Sequence, residues 1–175
     1  MNLAVIGSGG REHAISHKLK QSPKVKKIIC IPGNAGTYEI AENIKEDISD
    51  FDAIYKIIKN KKIDMVIIGP EQPLVGGLVD YLNKKNIKVF GPDKFTSQLE
   101  GSKSFMKNLC KKNNIPTANF GIFNNLEDAN DFIKKNGVPI VVKADGLASG
   151  KGVTVCFSID QALKSTKEIL DGKFQ

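Results

Sequence analysis

The fold class is decided by residues 3–13, which read LAVIGSGGREH. Four aliphatic residues in a row are typical of a parallel strand buried on both faces, and a glycine-rich turn and a helical segment follow at once. The same unit recurs, because short apolar runs alternate along the chain with segments whose apolar residues recur at helical spacing. This alternation predicts an α/β protein with a parallel sheet.

Predicted strands and helices can be placed along the whole chain. We expect strands at residues 3–6, 25–31, 65–68, 88–90, 120–123, 139–143 and 153–157. We expect helices at residues 12–20, 51–60, 74–85, 102–112, 127–135 and 159–170, with Asp50 as N-cap of the second. Gly91-Pro92 and Gly101 interrupt the pattern, so we place a domain boundary near residues 92–101, which gives domains at 1–100 and 101–175.

Composition excludes several classes of protein. The chain has 175 residues, of which 41% are hydrophobic and 26% charged, and this suits a globular protein with a sizeable core. Three cysteines without a CxxC pair and only two histidines argue against a disulfide scaffold and a zinc site. No apolar run approaches the roughly 18 residues of a membrane span, and no basic flank precedes the first one, so we expect a cytoplasmic protein without a membrane partner.

The net charge of +7 comes from 26 basic residues, of which only Arg11 is an arginine. Many of the lysines close predicted helices, where a cation offsets the negative end of the helix dipole. Because no aromatic platform accompanies this charge, we favour solvated helix ends over an RNA-binding face and expect no nucleic-acid partner.

Glycine-rich turns follow four of the predicted strands, at residues 7–10, 32–36, 69–73 and 91–92. The carboxyl ends of parallel strands share one edge of a sheet, where ligands bind, so the four turns predict a single site. The alternative is that tight strand-to-helix turns use glycine in any case.

The first turn departs from the dinucleotide fingerprint GxGxxG. Glu12 stands where that fingerprint needs a small residue, and no acidic residue closes the second strand to hold a ribose. A glycine turn that opens a helix still suits an anion, and Arg11 adds a bidentate donor, so a phosphorylated small molecule is favoured over NAD. Glu71, between two prolines in what we expect to be a stiff turn, is a candidate for ribose hydroxyls. His13 could contact a ligand or only cap and pack, and Asp80 could contact a ligand or only lie at the surface.

A second glycine-rich loop lies between two apolar runs in the second half. Residues 141–153 read VVKADGLASGKGV, which lacks the Walker A pattern and predicts a hairpin. Such a loop can cover a polyphosphate with N–H donors and lysine charge, and the alternative is an exposed flexible hairpin. Lys143 closes a strand that we expect to be buried, where a cation needs an anionic partner. Lys103 opens a helix, where a cation is unfavourable, which favours a further anionic partner over the alternative of a solvated surface lysine.

Six motifs in a fixed order resemble one family. The runs GSGGREHA (7–14), PGNAG (32–36), GPEQPLVGGLVD (69–80), LEGSK (99–103), IPTA (115–118) and VVKADGLASGKGV (141–153) resemble the phosphoribosylamine–glycine ligases, or glycinamide ribonucleotide synthetases, of the ATP-grasp superfamily. None of the motifs is specific alone, but their joint order and spacing are.

The resemblance implies a Rossmann-like parallel-sheet domain at 1–100, followed by the first, incomplete part of an ATP-grasp domain at 101–175. It also implies an ATP-dependent carbon–nitrogen ligase of purine biosynthesis. Such an enzyme joins glycine to 5-phosphoribosylamine through glycyl phosphate and releases ADP and phosphate, with Mg²⁺ on the ATP phosphates. The implied phosphoribosylamine-binding residues are Gly9, Gly10, Arg11, Glu12, Asn34 and Glu71. The implied ATP-binding residues are Lys103, Lys143, Gly146, Ser149, Gly150, Lys151 and Gly152.

Chains of this family are more than twice as long. We therefore expect the Mg²⁺ ligands beyond residue 175 and none within the chain, and we expect the isolated 175 residues to be an inactive fragment. No side chain is a certain catalytic residue, because catalysis of this kind rests on positioning and charge stabilisation. The alternatives are another ATP-grasp ligase of purine metabolism and a non-catalytic module that binds phosphosugar or nucleotide.

Overall fold

A computed structural model describes residues 1–148 and 150–173. The chain divides into two compact units, Met1–Gln98 and Leu99–Gln175. The first unit holds a five-stranded sheet and the second a two-stranded one, and helices alternate with the strands. The predicted α/β class is confirmed.

The first unit runs in the order β1 (Asn2–Gly7), α1 (Gly10–Lys20), β2 (Lys27–Pro32), α2 (Ala35–Tyr38), β3 (Glu42–Asn43), α3 (Phe51–Asn60), β4 (Met65–Ile68), α4 (Glu71–Gly76), α5 (Leu78–Lys84) and β5 (Val89–Phe90). The short helix α6 (Gln98–Gly101) lies where the units join. The second unit contains α7 (Lys103–Lys112), α8 (Leu126–Asn136), β6 (Ile140–Lys143), β7 (Val153–Cys156) and α9 (Ile159–Leu170).

The five strands of the first sheet are parallel and lie in the order β3-β2-β1-β4-β5. In the central strand β1, Ala4 is opposite Ile29 of β2 on one side and Val66 of β4 on the other. The chain moves outward from β1 to β3 and then returns to pair β4 with the free side of β1. The strand order therefore reverses between β1 and β4, which is where open parallel sheets bind ligands.

Strands β1, β2 and β4 are buried on both faces, as their continuous aliphatic runs predict. On one face Ile6 belongs to a core cluster with Ile54 of α3 and Leu78 of α5. On the opposite face Val5 belongs to a second cluster, which Ile15 of α1 packs against. Because both faces are covered, the edge at the carboxyl ends of the strands is where turns meet solvent.

The predicted helix at 74–85 is wrong in its extent, because the structure has two helices there. Gly77 has a φ of +96°, a left-handed conformation that ends α4 and begins α5. Helix α4 also begins earlier than predicted, at Glu71 after Pro70. A proline in the first turn of a helix removes no hydrogen bond, so Pro73 is compatible with α4. Glu71 therefore lies at the start of a helix and not in the stiff turn that we expected.

The predicted strand at 120–123 is absent. The two aromatic residues of this segment make separate side-chain contacts. Phe123 lies against Phe132 of α8 with ring centroids 5.2 Å apart, and Lys107 Nζ lies 5.3 Å from the centre of the Phe120 ring. An extended segment is a strand only when a neighbour satisfies its backbone, and an apolar run does not show whether that neighbour exists.

Candidate functional site

Three of the four predicted turns of the first unit meet at the switch point between β1 and β4. The backbone N–H of Gly33 donates to Gly7 O at 3.1 Å, and Asn34 Nδ2 donates to Ser8 O at 2.9 Å. Arg11 and Glu71, which are 60 residues apart in sequence, form an ion pair there. The fourth turn lies beside α4 and α5, where Gly91 would bring a Cβ to 3.0 Å from Leu74 Cδ2.

Glu12 is buried within this edge and its carboxylate lies among three glycines. We call Gly7, Gly9 and Gly69 the glycine cradle. A Cβ at Gly7 would lie 2.7 Å from Glu12 Cγ, a Cβ at Gly9 would lie 2.9 Å from Glu12 Oε2, and a Cβ at Gly69 would collide with Glu12 Oε1. Glu12 is 3% exposed, and its Oε2 accepts a hydrogen bond from Gly9 N at 2.6 Å. The carboxylate therefore faces the inside of the turn and not the solvent.

Arg11 lies outside the cradle and is held by two carboxylates. Its Nε donates to Glu12 Oε1 at 3.3 Å and its Nη2 donates to Glu71 Oε1 at 3.0 Å. These partners raise the pKa of Arg11, the Glu71 hydrogen bond most. The pKa of Glu71 is lowered, first by its own backbone N–H and then by Arg11. The side chains of Arg11 and Glu71 are 56% and 37% exposed, so this ion pair is worth only about 0–1 kcal/mol and an incoming anion can displace Glu71.

Asn34 links the first two turns and has few hydrogen-bonding positions left for a ligand. Its Nδ2 donates to Ser8 O and Gly9 O, and its Oδ1 accepts from Thr37 N at 2.9 Å, which caps α2. Asn43, from the two-residue strand β3, donates from Nδ2 to Asn34 O at 2.7 Å and supports the turn from behind. Sequence reasoning missed Asn43, because a two-residue polar strand carries no periodicity.

The two undecided candidates take separate positions. The His13 ring lies over the second turn, where a Cβ at Gly36 would come within 2.5 Å of His13 Cε1. Asp80 Oδ2 accepts from Lys94 N at 2.7 Å, so this carboxylate ties α5 to the segment after β5. Gly10 is the first residue of α1, and a Cβ there would meet nothing within 4 Å.

In the second unit, β6 and β7 form the predicted hairpin and pair antiparallel. Ala144 N donates to Gly152 O at 2.7 Å and closes the base of the loop. A Cβ at Gly152 would lie 2.8 Å from Ala148 Cβ, so the close approach of the two arms requires glycine there. Gly146 and Gly150 have φ values of +88° and +76°, which glycine adopts without strain. Ser149, a predicted ATP-binding residue, lies outside the described residues.

Asp145 fastens this loop to the N-terminus of α7. Its Oδ1 accepts from Lys103 N at 2.6 Å, from Ser104 N at 3.2 Å and from Gly146 N at 3.0 Å, while its Oδ2 accepts from the hydroxyls of Ser102, at 3.1 Å, and Ser104. Desolvation raises the pKa of Asp145, but the bonds from the Ser104 hydroxyl and from these N–H groups outweigh it and lower the pKa. The anion that we expected at the start of this helix is thus supplied by the protein itself.

The predicted lysines take different positions around this loop. Lys103 Nζ donates to Gly146 O at 2.8 Å, so its ammonium lies at the loop. The side chain of Lys151 is exposed. The expectation that Lys143 ends a buried strand is wrong, because Lys143 is exposed and Val141 of the same strand is 46% exposed. A two-stranded sheet has one face covered by helices, so this cation stays in contact with water.

Two kinds of feature are absent from the described part of the chain. No helix within residues 1–148 and 150–173 combines the length and apolar character that crossing a membrane requires. In the same residues, no three or more His, Cys, Asp or Glu side chains gather in a way that could hold a metal ion.

Comparison with protein families gives two adjacent matches. A model described as the N domain of phosphoribosylglycinamide synthetase matches residues 1–100, and one described as the ATP-grasp (A) domain of the same enzyme matches residues 101–175. The chain belongs to the phosphoribosylglycinamide synthetase family. This membership confirms the resemblance that the six motifs carry.

Relatives in this family carry the name phosphoribosylamine–glycine ligase. One from Mesorhizobium japonicum is 49% identical over 174 residues, which are 99% of this chain and 41% of the relative. One from Brucella melitensis is 47% identical with the same coverage. This member of the phosphoribosylglycinamide synthetase family therefore spans about two fifths of the length of the curated relatives it matches.

Solved structures agree with the family assignment. The phosphoribosylamine–glycine ligase of Thermotoga maritima superimposes with a TM-score of 0.78 at 32% identity, covering 98% of this chain and 41% of that one. An N5-carboxyaminoimidazole synthetase from Staphylococcus aureus, complexed with ADP, has a TM-score of 0.77 at 18% identity, covering 98% of this chain and 45% of that one. The second likeness shows the fold alone.

Proposed function

We propose that this chain is the N-terminal part of an ATP-dependent ligase that joins glycine to 5-phosphoribosylamine. A glycine carboxylate oxygen attacks the γ-phosphorus of ATP, and ADP leaves. The amine nitrogen of phosphoribosylamine then attacks the acyl carbon of glycyl phosphate, phosphate leaves with the bonding electron pair, and the amine loses a proton. The products are glycinamide ribonucleotide, ADP and phosphate. Family membership carries the proposal, and the two glycine turns with nearby cations support it.

The first unit binds phosphoribosylamine in this proposal. Arg11 carries the planar guanidinium that suits a phosphate group, and it is exposed at the strand edge where ligands bind. Its weak ion pair with Glu71 permits an exchange in which the sugar phosphate takes Arg11 and Glu71 turns to the ribose hydroxyls. Gly9, Gly10 and Asn34 shape the turn. The carboxylate of Glu12 is bonded to Gly9 N and supports the turn from inside the protein.

The second unit binds the phosphates of ATP. The backbone N–H of Gly146 is bonded to Asp145 and that of Lys151 to Ala148, so these two donors are already engaged. Lys103, Lys143 and Lys151 supply positive charge to the leaving ADP and to the transferred phosphoryl group. Mg²⁺ has no fitting set of ligands among the described residues.

The test is an assay of ADP release by the full polypeptide that contains this chain. ADP should form only when glycine and phosphoribosylamine are both present, and turnover with another acid and amine would instead favour a different ligase of the superfamily. Arg11→Ala should raise the KM for phosphoribosylamine about 10- to 100-fold, because a charge-assisted bond is lost, and should leave the KM for ATP unchanged. Lys20→Ala, which removes one charge at the other end of α1, is the matched control.

A further inference from the structure

Glu12 is a buried acid that the proposed reaction does not use. Its carboxylate lies at the point where the strand order reverses, between the ends of β1 and β4. In parallel sheets that bind dinucleotides, the pyrophosphate occupies this crevice and accepts hydrogen bonds from the glycine turn and the helix that follows. An internal anion is thus placed where such sheets hold an external one.

The carboxylate occupies the space beside three glycines of this crevice and takes one of its backbone N–H groups. The glycine cradle leaves no room beside it, because a Cβ on Gly7, Gly9 or Gly69 would come within 3 Å of the Glu12 side chain. Gly9 is the N-cap residue of α1, and its N–H is already donated to Glu12 Oε2 at 2.6 Å. A second anion in the crevice would find the nearest donor occupied and a negative charge beside it, and in a buried setting that repulsion is weakly screened.

Arg11 is the cation that Glu12 leaves accessible. The guanidinium is joined to Glu12 through Nε alone, at 3.3 Å, and extends away from the cradle with its side chain 56% exposed. The Glu12 carboxylate therefore occupies the glycine cradle and also holds the Arg11 guanidinium outside it.

We propose that Glu12 is a specificity-determining residue: its carboxylate excludes a pyrophosphate from the switch point and directs a single phosphate group to Arg11. The inference rests on the proposed function for the identity of the phosphate ligand, but the exclusion of pyrophosphate stands on the geometry of Glu12. It gives a physical reason why a Rossmann-like sheet accepts a sugar monophosphate and rejects a dinucleotide.

The experiment titrates inorganic pyrophosphate and, separately, ribose 5-phosphate into the ¹⁵N-labelled chain of 175 residues. Glu12→Ala opens the crevice and frees Gly9 N–H, so pyrophosphate affinity should rise at least about tenfold, with a shift of the Gly9 amide signal. Glu12→Gln keeps the shape without the charge and should give a smaller rise. Glu39→Ala removes one exposed charge elsewhere in the unit and should change nothing.

An unchanged pyrophosphate affinity in a folded Glu12→Ala chain overturns the inference. If neither Glu12 variant folds, the wild-type chain decides, since a Gly9 amide that shifts with pyrophosphate overturns it and one that does not shift supports it. Ribose 5-phosphate separates the two proposals. If it leaves the Arg11 Nε signal of the wild type unchanged, the proposed phosphosugar site is wrong. The pyrophosphate titration still tests whether Glu12 excludes pyrophosphate.

Discussion

Two of the glycine-rich turns, the first turn at residues 7–10 and the loop between β6 and β7, each engage a carboxylate of the protein itself, but the two carboxylates differ in their burial. Glu12 in the first unit is 3% exposed and lies among glycines that leave no space beside it. Asp145 in the second unit is exposed. Its carboxylate accepts from Gly146 N, next to it in sequence, and from Lys103 N, which is 42 residues away. Both acids accept backbone N–H groups at the start of a helix, but the first is enclosed by glycines and the second stays open to solvent.

A glycine turn can be prepared for a phosphate before the ligand arrives. In both turns a carboxylate satisfies backbone N–H groups that would otherwise stay without a partner near the start of a helix. The cations then remain for the ligand: Arg11 outside the cradle, and Lys103 with the exposed lysines around the loop.

The largest expected effect is that of Gly69→Ala. The new Cβ would collide with Glu12 Oε1, and both the strand end and the buried carboxylate resist movement, so we expect a loss of about 3 kcal/mol in the free energy of unfolding. Urea denaturation followed by circular dichroism measures it. Gly10→Ala is the control, because its Cβ meets no atom within 4 Å, and it should be neutral or slightly stabilising. Equal losses of stability in Gly69→Ala and Gly10→Ala would show that the glycine cradle is no more tightly packed than the open position at Gly10.

The next effect is that of Asp145→Ala. Loss of the acceptor at the start of α7 should cost about 1 kcal/mol and should speed hydrogen exchange of the Lys103 and Ser104 amides about tenfold. Because Lys103 would lose its place beside Gly146, ATP affinity should fall as well. Asp160→Ala, which removes an exposed acid from the first turn of α9, is the matched control and should leave both amides unchanged. Exchange that stays at the wild-type rate would show that the loop is not fastened there.

A pH titration sharpens the contrast between the two acids. The pKa of Asp145 is lowered in the folded chain, so its contribution to stability is fully present above the unfolded value of about 3.9. That contribution is lost as the pH falls through the folded value. The stability difference between wild type and Asp145→Asn should therefore be constant from neutral pH down to about 5 and should vanish in stronger acid. A difference that persists at the lowest pH would assign the effect to packing instead of charge.

The smallest effect belongs to Glu71→Gln. The ion pair with Arg11 is exposed on both sides, so the free energy of unfolding should change by no more than about 0.5 kcal/mol. Because Arg11 loses a competitor, inorganic phosphate should bind the variant more tightly, as calorimetry of the 175-residue chain can measure. Glu39→Gln, which neutralises an exposed acid at the end of α2, is the control. A large loss of stability would mean that the outer carboxylate is as structural as the inner one.

Local sequence was sufficient for much of the fold. The aliphatic runs of β1, β2 and β4 predict their burial, because only strands covered on both faces tolerate such runs. Asp50 was expected to cap α3, and its Oδ1 accepts from Ala53 N at 2.9 Å. The strand expected at 120–123 failed because pairing depends on a neighbour and not on the run itself. The break at Gly77 was missed because the sequence does not show when a glycine will take a positive φ.

Some features of the candidate site likewise follow from local sequence, and others depend on the tertiary structure. The motifs of the sequence determined the family, the two glycine turns and the cations beside them, because each depends on residue types at short spacing. Only the tertiary structure decided that Glu12 lies under Gly69, that Arg11 meets Glu71 and that Asp145 accepts from the start of α7. The physical reason is that a carboxylate takes whichever N–H groups and cations the folded backbone brings within about 3 Å, and sequence spacing does not contain that distance.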